Sequence, residues 1–260
     1  MRNPYFRFKQ FAIRHDRCAM KVGTDGVLLG AWARLDKSAS RGACRILDVG
    51  TGSGLIAMML AQRYASATVE GLDIDEASAR QAEENVREAG MENRVSIGIG
   101  DFVTYGETSS ETYGKTRDVA SGEDSTPATV LYDLIVSNPP FFKEDTVGGN
   151  TARDNARHSS SLPFESLIGK AACLLRPATG RLAVIVPYSA AQNFISLCAE
   201  RKLYLCRRTD VRAKENKAWN RTLLEFGLKA RETEADMLTL HDNEGNRSEA
   251  YSLLTRDFYL

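Results

Sequence analysis

The sequence predicts an α/β fold: a mostly parallel twisted sheet with helices on both faces and a terminal antiparallel hairpin. Three observations predict it. From Arg45 onward, strand-length apolar runs alternate with longer stretches of helical periodicity, the pattern of parallel strands joined by helical crossovers. A glycine-rich turn, Asp48-Val-Gly50-Thr-Gly52-Ser-Gly54, joins the first of these strands to its helix. Near the end, two strand-like runs around 204–211 and 221–229 follow too closely for a helical crossover, so they pair as a hairpin.

The elements follow in order. Residues 5–14 alternate apolar and polar side chains, with a break near Gln10, and read as a short strand or hairpin arm. His15-Asp16 reads as a turn. In Lys21-Val-Gly23-Thr24-Asp25-Gly26, Thr24 or Asp25 is placed to cap a helix carrying Val27, Leu28 and Trp32. Arg45–Val49 is a strand, and the helix after its glycine turn runs through Ile56, Met59 and Leu60. The pattern is D-x-G-x-G-x-G. It is neither the dinucleotide G-x-G-x-x-G nor a P-loop, which needs Gly-Lys-Ser/Thr. Glycine at every second position lets the backbone pass close to a ligand.

The second strand, Thr68–Leu72, ends at Asp73, and Asp75 caps a helix reaching about Ala89. Asp73 lies about 20 residues past the glycine turn, where an acid at a strand end can accept from both hydroxyls of a ribose. A third strand, Arg94–Ile99, ends in Gly100-Asp101-Phe102, an acid and an aromatic placed to border an adenine ring. Residues 105–129 are rich in Ser, Thr, Gly and acids and read as a surface insertion. Tyr132–Val136 is the fourth strand. The polar stretch 143–163, which contains His158, is a candidate lid. A helix at 165–176, a strand at 181–187 and a helix at 189–202 precede the closing hairpin, and an amphipathic tail, 247–260, docks on the body.

Composition narrows the class. Formal net charge is zero and 43% of residues are hydrophobic, enough for a sizeable core. Charge is uneven. Six Lys/Arg face one Asp in 1–21, ten face three acids in 201–231, and seven acids face two basic residues in 101–133. The basic segments form candidate phosphate contacts at Lys9, Arg14, Arg207, Arg208 and Lys217. Five cysteines, widely spaced and without a C-x-x-C pair, suggest core thiols and no metal site. The N-terminus has no signal-like apolar region and no run is long enough to span a membrane, so a soluble cytoplasmic protein is expected.

The stretch around which this order turns is Ser137-Asn138-Pro139-Pro140-Phe141. Two prolines end the strand ladder, and Pro139 holds Asn138 extended. The corner offers an amide oxygen, a rigid carbonyl and an aromatic face. Those are the parts that grip a flat group bearing an NH2.

Asp48 with its glycine turn, Asp73, Asp101-Phe102 and Asn138–Phe141, in that order, resemble the Rossmann-like class I methyltransferases that use S-adenosylmethionine and act on amino or amide nitrogens. The resemblance implies that Asp48, Gly50, Gly52 and Gly54 approach the cofactor's methionine part. It implies that Asp73 holds the ribose, that Asp101 and Phe102 border the adenine, and that Asn138, Pro139 and Phe141 hold the target. A narrower resemblance spans nearly the whole chain. Phe8-Lys-Gln-Phe11, His15 to Gly26, Leu28-Leu-Gly-Ala-Trp32, Ser137–Pro140 and Ser248-Glu-Ala-Tyr251 look like the bacterial tRNA1(Val) adenine N6-methyltransferase family. It implies a single methyltransferase domain over 1–260, with 1–24 as an arm and upstream motif. Lys21, Gly23 and Thr24 would lie near the cofactor's methionine end. It also implies a tRNA partner; no metal is expected, and the oligomeric state stays open with a monomer favoured. Where other members carry Tyr, this chain has Phe141, the residue used by related enzymes of guanine N2; the 105–129 insertion also departs from the family. On residues alone the target stays open among adenine N6 in RNA or DNA, guanine N2 and a protein glutamine, with a non-catalytic RNA-binding protein as the contrasting class.

Overall fold

The computed structural model describes residues 4–18, 20–36, 43–106, 130–140 and 162–260. The expectations for 107–129, for Phe141 and for most of the 143–163 stretch, with His158, lie outside the described residues.

Tyr5–Arg7 (β1) and Ala12–Arg14 (β2) pair as an antiparallel hairpin, and the break at Gln10 is its turn. Thr24–Trp32 (α1) follows. Thr24 and Asp25 do not cap it. Gly23 is the N-cap, without a side-chain cap bond, and Asp25 sits in the first turn, where an acid favours the helix dipole. Arg45–Val49 (β3), Leu55–Arg63 (α2), Thr68–Asp73 (β4), Glu76–Glu88 (α3) and Val95–Ile99 (β5) come next. Asp75 does cap α3, accepting from the Ser78 N–H at 2.9 Å. Leu134–Ser137 (β6), Phe164–Leu174 (α4), Arg181–Pro187 (β7) and Ala191–Glu200 (α5, entered through a 3-10 turn at Tyr188–Ala190) complete the alternation. Tyr204–Arg212 (β8), Arg221–Gly227 (β9), Glu234–Thr239 (β10) and Glu249–Thr255 (α6) close it.

One eight-stranded sheet runs β10-β8-β9-β7-β6-β3-β4-β5. β3 through β7 are parallel, and β9 runs antiparallel between β7 and β8 as the closing hairpin. β10, absent from the sequence reading, adds to β8 in parallel. Its first four side chains are exposed, so it carries no apolar pattern.

The two faces bury two cores. Ile46, Val136 and Ile185 face Leu28 of α1 and Met59 of α2. Leu47, Ile135 and Val184 face Leu167 of α4 and Phe194 of α5. Covering both faces is why these strands read as continuous apolar runs. α1 lies close on α2 because Gly30 has no side chain; a Cβ there would meet Met59 Sδ at 2.7 Å. Four of the five cysteines are buried, and Cys173 is exposed. The tail docks as expected. Lys9 N–H donates to the Phe258 carbonyl at 2.9 Å, and the rings of Phe8 and Tyr259 stack at 6.0 Å.

Candidate active site

β3 and β6 are neighbours, with Asp48 opposite Val136 and Val49 opposite Ser137. After β3 the chain turns into α2 on one face. After β6 its next described helix, α4, lies on the other. This is the switch point of the sheet, where a crevice opens at the carboxyl ends of the strands. Ser137 Oγ donates to the Val49 carbonyl at 2.9 Å, so the glycine turn and the Asn138 corner leave the sheet side by side.

Gly50, Gly52 and Gly54 have φ of 70°, 55° and 80°, values that only glycine adopts without strain. A Cβ on Gly50 or Gly52 would meet nothing within 4 Å, so the turn presents bare backbone to open space. The turn is pinned from beneath. Gly50 and Thr51 N–H donate to the Leu72 carbonyl at 2.8 and 3.0 Å. Asp48 Oδ2 accepts from Thr51 Oγ1 at 2.7 Å and from Ala57 N–H at 3.1 Å. Asp48 is fully buried, so it braces the turn from below instead of reaching a ligand across open space. Its Oδ1 has no hydrogen-bond partner among the described residues, and burial raises its carboxyl pKa to about 7.

Asp73 accepts from Gly52 N–H at 2.7 Å and from Asp75 N–H at 2.9 Å. Burial raises its pKa, against the backbone N–H groups of Asp75, Gly52 and Ile74. A carboxylate offers about four lone-pair sites, so acceptor capacity is left for a diol. Asp101 is exposed and accepts from Val103 N–H at 2.9 Å, turning the chain at the end of β5. Phe102 departs from its expected role. Its ring is 3% exposed and packs with Val49 and Leu72, so it floors this edge from within the core.

The Lys21–Gly26 segment reaches the same crevice because α3 holds the chain before it. The fully buried Asn85 donates to the Arg14 and Ser53 carbonyls and accepts from Arg14 N–H, each at 2.9 Å. Gln81, equally buried, accepts from Arg17 N–H at 2.9 Å and donates to Asp16 at 3.0 Å. One cleft of about 480 Å³ is then lined by Lys21, Gly23 and Thr24, by Gly50 and Gly52, and by Asn138. Asn138 is half-buried, and its amide makes no hydrogen bond to the described residues. The far wall comes from Asn220 and Arg221 at the start of β9 and from His241 beyond β10, residues that the sequence reading missed. Arg221 Nε donates to Asp25 at 2.8 Å across that wall.

Of the expected phosphate contacts, Arg207 is corrected. Its guanidinium lies 3.5 Å from the Trp32 ring centroid and pairs with buried Glu225 at 3.0 Å, and burial lowers its pKa to about 10. Lys217 is exposed. Arg208 is paired with Asp210, Arg14 with Glu88, and Lys9 Nζ donates to the Arg256 carbonyl. Among the described residues there is no cluster able to hold a metal ion, and no helix is long and apolar enough to cross a membrane.

A switch-point crevice with an open glycine cradle and a ribose-spaced acid defines a class I S-adenosylmethionine-dependent methyltransferase. A family model described as "Methyltransferase domain" matches residues 46–113, the glycine-turn half of the sheet. The fold of a predicted O-methyltransferase from Agrobacterium tumefaciens aligns over 90% of this chain and 96% of that one, at a TM-score of 0.62 and 16% identity. Sequence relatives are far nearer. The tRNA1(Val) (adenine(37)-N6)-methyltransferase of Bacteroides fragilis is 38% identical over 260 residues, covering 100% of this chain and 99% of that protein. Its counterpart in Shigella dysenteriae is 37% identical, covering 100% and 96%. The chain belongs to the tRNA1(Val) (adenine(37)-N6)-methyltransferase family.

Proposed function

We propose that this chain methylates N6 of adenine 37 in tRNA1(Val) with S-adenosylmethionine, in the cytoplasm and as a single methyltransferase domain. Membership of the family gives the substrate. The observation that carries the chemistry is Asn138, whose amide makes no hydrogen bond to the described residues, in the same cleft as the open glycine turn.

The residues present fit the cofactor. Gly50 and Gly52 leave a cradle that any Cβ would fill, and Asp73 keeps acceptor capacity for a ribose. Lys21, Gly23 and Thr24 line the same cleft as the cradle, and Asp101, just past the end of β5, would border the adenine. When bound, S-adenosylmethionine supplies an electrophilic methyl group on a sulfonium.

This chain's part is to prepare the nitrogen. Adenine N6 is a poor nucleophile because its lone pair is delocalised into the ring. The Asn138 side-chain oxygen and the Pro139 carbonyl accept its two N–H bonds and favour a pyramidal nitrogen, which releases the lone pair. Those bonds strengthen as positive charge develops on N6, so they act on the transition state. Asn138 has no charge to titrate, so the preparation needs no general base. The base must leave its stack to enter the cleft, and the Phe141 ring offsets part of that cost.

The test is methylation of cellular tRNA with labelled cofactor, followed by nucleoside digestion. N6-methyladenosine in the valine tRNA is expected. Label in N2-methylguanosine, or in protein, would overturn the reading.

A further inference from the structure

We propose that the turn between β8 and β9, residues 213–220, is the surface that carries the RNA strand flanking the target nucleotide, with Trp219 as its stacking platform. This rests on the RNA reading above and adds the element that recognises the RNA.

The turn stands at the mouth of the cleft. β8 and β9 pair through Val211 and Arg221, so the turn projects at the carboxyl edge of the parallel strands. Ala213, Asn220 and Arg221 line the same cleft as Asn138. Asn220 is fixed there, its N–H donating to the Val211 carbonyl at 3.0 Å and its carbonyl accepting from Tyr188 N–H at 3.3 Å. A strand whose base reaches Asn138 therefore passes residues 213–220.

The surface has the chemistry of single-stranded RNA binding. Trp219 is half-buried yet belongs to neither apolar core, and its indole N–H makes no hydrogen bond among the described residues. Arg212 lies over its ring at 4.7 Å. Arg212 is itself anchored, donating to Thr239 Oγ1 at 2.9 Å and to the Glu215 carbonyl at 2.8 Å, so the indole is held in place. Beside the turn, Arg208 lies over the 39% exposed Tyr188. Two cation-backed aromatics beside a cleft suit bases, which all offer a π face. Lys214 and Lys217 add positive charge. Of the acids nearby, Asp210 pairs with Arg208, Asp25 pairs with Arg221 and Asp242 accepts from Asn246, while Glu215 in the turn and Glu244 in the neighbouring loop are exposed.

Trp219→Ala, Trp219→Phe and Lys217→Glu decide the matter, with tRNA affinity followed by anisotropy across a salt series and cofactor affinity by calorimetry. Trp219→Ala is expected to weaken tRNA binding about tenfold, with Trp219→Phe recovering most of it. Lys217→Glu, at an exposed site, is expected to lower affinity and reduce the salt slope by about one or more. Cofactor affinity should stay at the parental value in all three. Parental tRNA affinity in both Trp219→Ala and Lys217→Glu overturns the proposal while the function stands, provided the parent still methylates tRNA. A parent that neither binds nor methylates tRNA removes the functional reading and this proposal with it.

Discussion

Asn138→Ala separates catalysis from folding. In the structure the Asn138 amide makes no hydrogen bond to the described residues, and it faces the cleft. Its removal therefore leaves no buried partner among the described residues unsatisfied, and stability should change by no more than about 0.5 kcal/mol. The glycine turn and Asp73 are untouched, so cofactor affinity should hold. The rate is another matter. One of the two acceptors on the target nitrogen is lost, and by analogy with deleting one hydrogen-bonding group that acts on the transition state, methyl transfer should fall about 10²-fold or more. That is about 2.7 kcal/mol of barrier at about 1.36 kcal/mol per decade. The assay is single-turnover transfer to tRNA from saturating labelled cofactor, so that product release cannot mask the step. Asn138→Asp keeps an acceptor and should retain partial activity. If Asn138→Ala runs at the parental rate, the corner is only a strand-ending turn and the mechanism is wrong.

Three further expectations can be checked directly. Asp73→Ala should weaken S-adenosylmethionine binding by roughly 1–3 kcal/mol through unpaired ribose hydroxyls, measured by calorimetry. Asp48 shifts from an ordinary 3.8 to about 7 in the fold, so between those values the folded state holds a proton that the unfolded state has lost. Its contribution to stability is present below about pH 4 and falls as pH rises towards 7, and denaturant titrations across that window should show this slope flattened in Asp48→Asn. Replacing 107–127 by a short Gly/Ser linker should preserve melting temperature and cofactor binding, because the described residues flanking it are already anchored. The Tyr105 and Tyr132 hydroxyls each donate to Glu70 at 2.7 Å; a large loss of melting temperature would show that the segment packs on the core.

Most of the sheet was legible because its signals are local. The central strands β3, β6 and β7 are apolar on both faces, and the glycine turn, Asp73 and the Asn138 corner each announce themselves within a few residues. What escaped depends on distant pairing. β10 has exposed side chains and becomes a strand only because β8 offers its backbone. Arg207 counts as one more positive charge in a basic segment until the fold sets it on Trp32 and Glu225. Asn85 and Gln81 look like ordinary polar positions of an amphipathic helix, although they seat residues 14–18. Asn220 reaches the cleft only through the closing hairpin, and His241 only through the pairing of β10 with β8. Asp48 carried the reverse error: its place in the motif suggested contact with the ligand, and only full burial shows that it is a brace.

The docking of Phe258 and Tyr259 on the hairpin has a consequence for synthesis. Synthesis runs from the N-terminal side, yet Lys9 and Phe8 find their partners far downstream, at Phe258 and Tyr259. The hairpin leads into the upstream motif that walls the cleft. A nascent chain can therefore assemble β3 to β7 and its glycine cradle well before the arm is locked. The arm is locked against the body only once residues 258 and 259 have emerged from the exit tunnel, so the wall of the cleft that it leads into is set after the cradle.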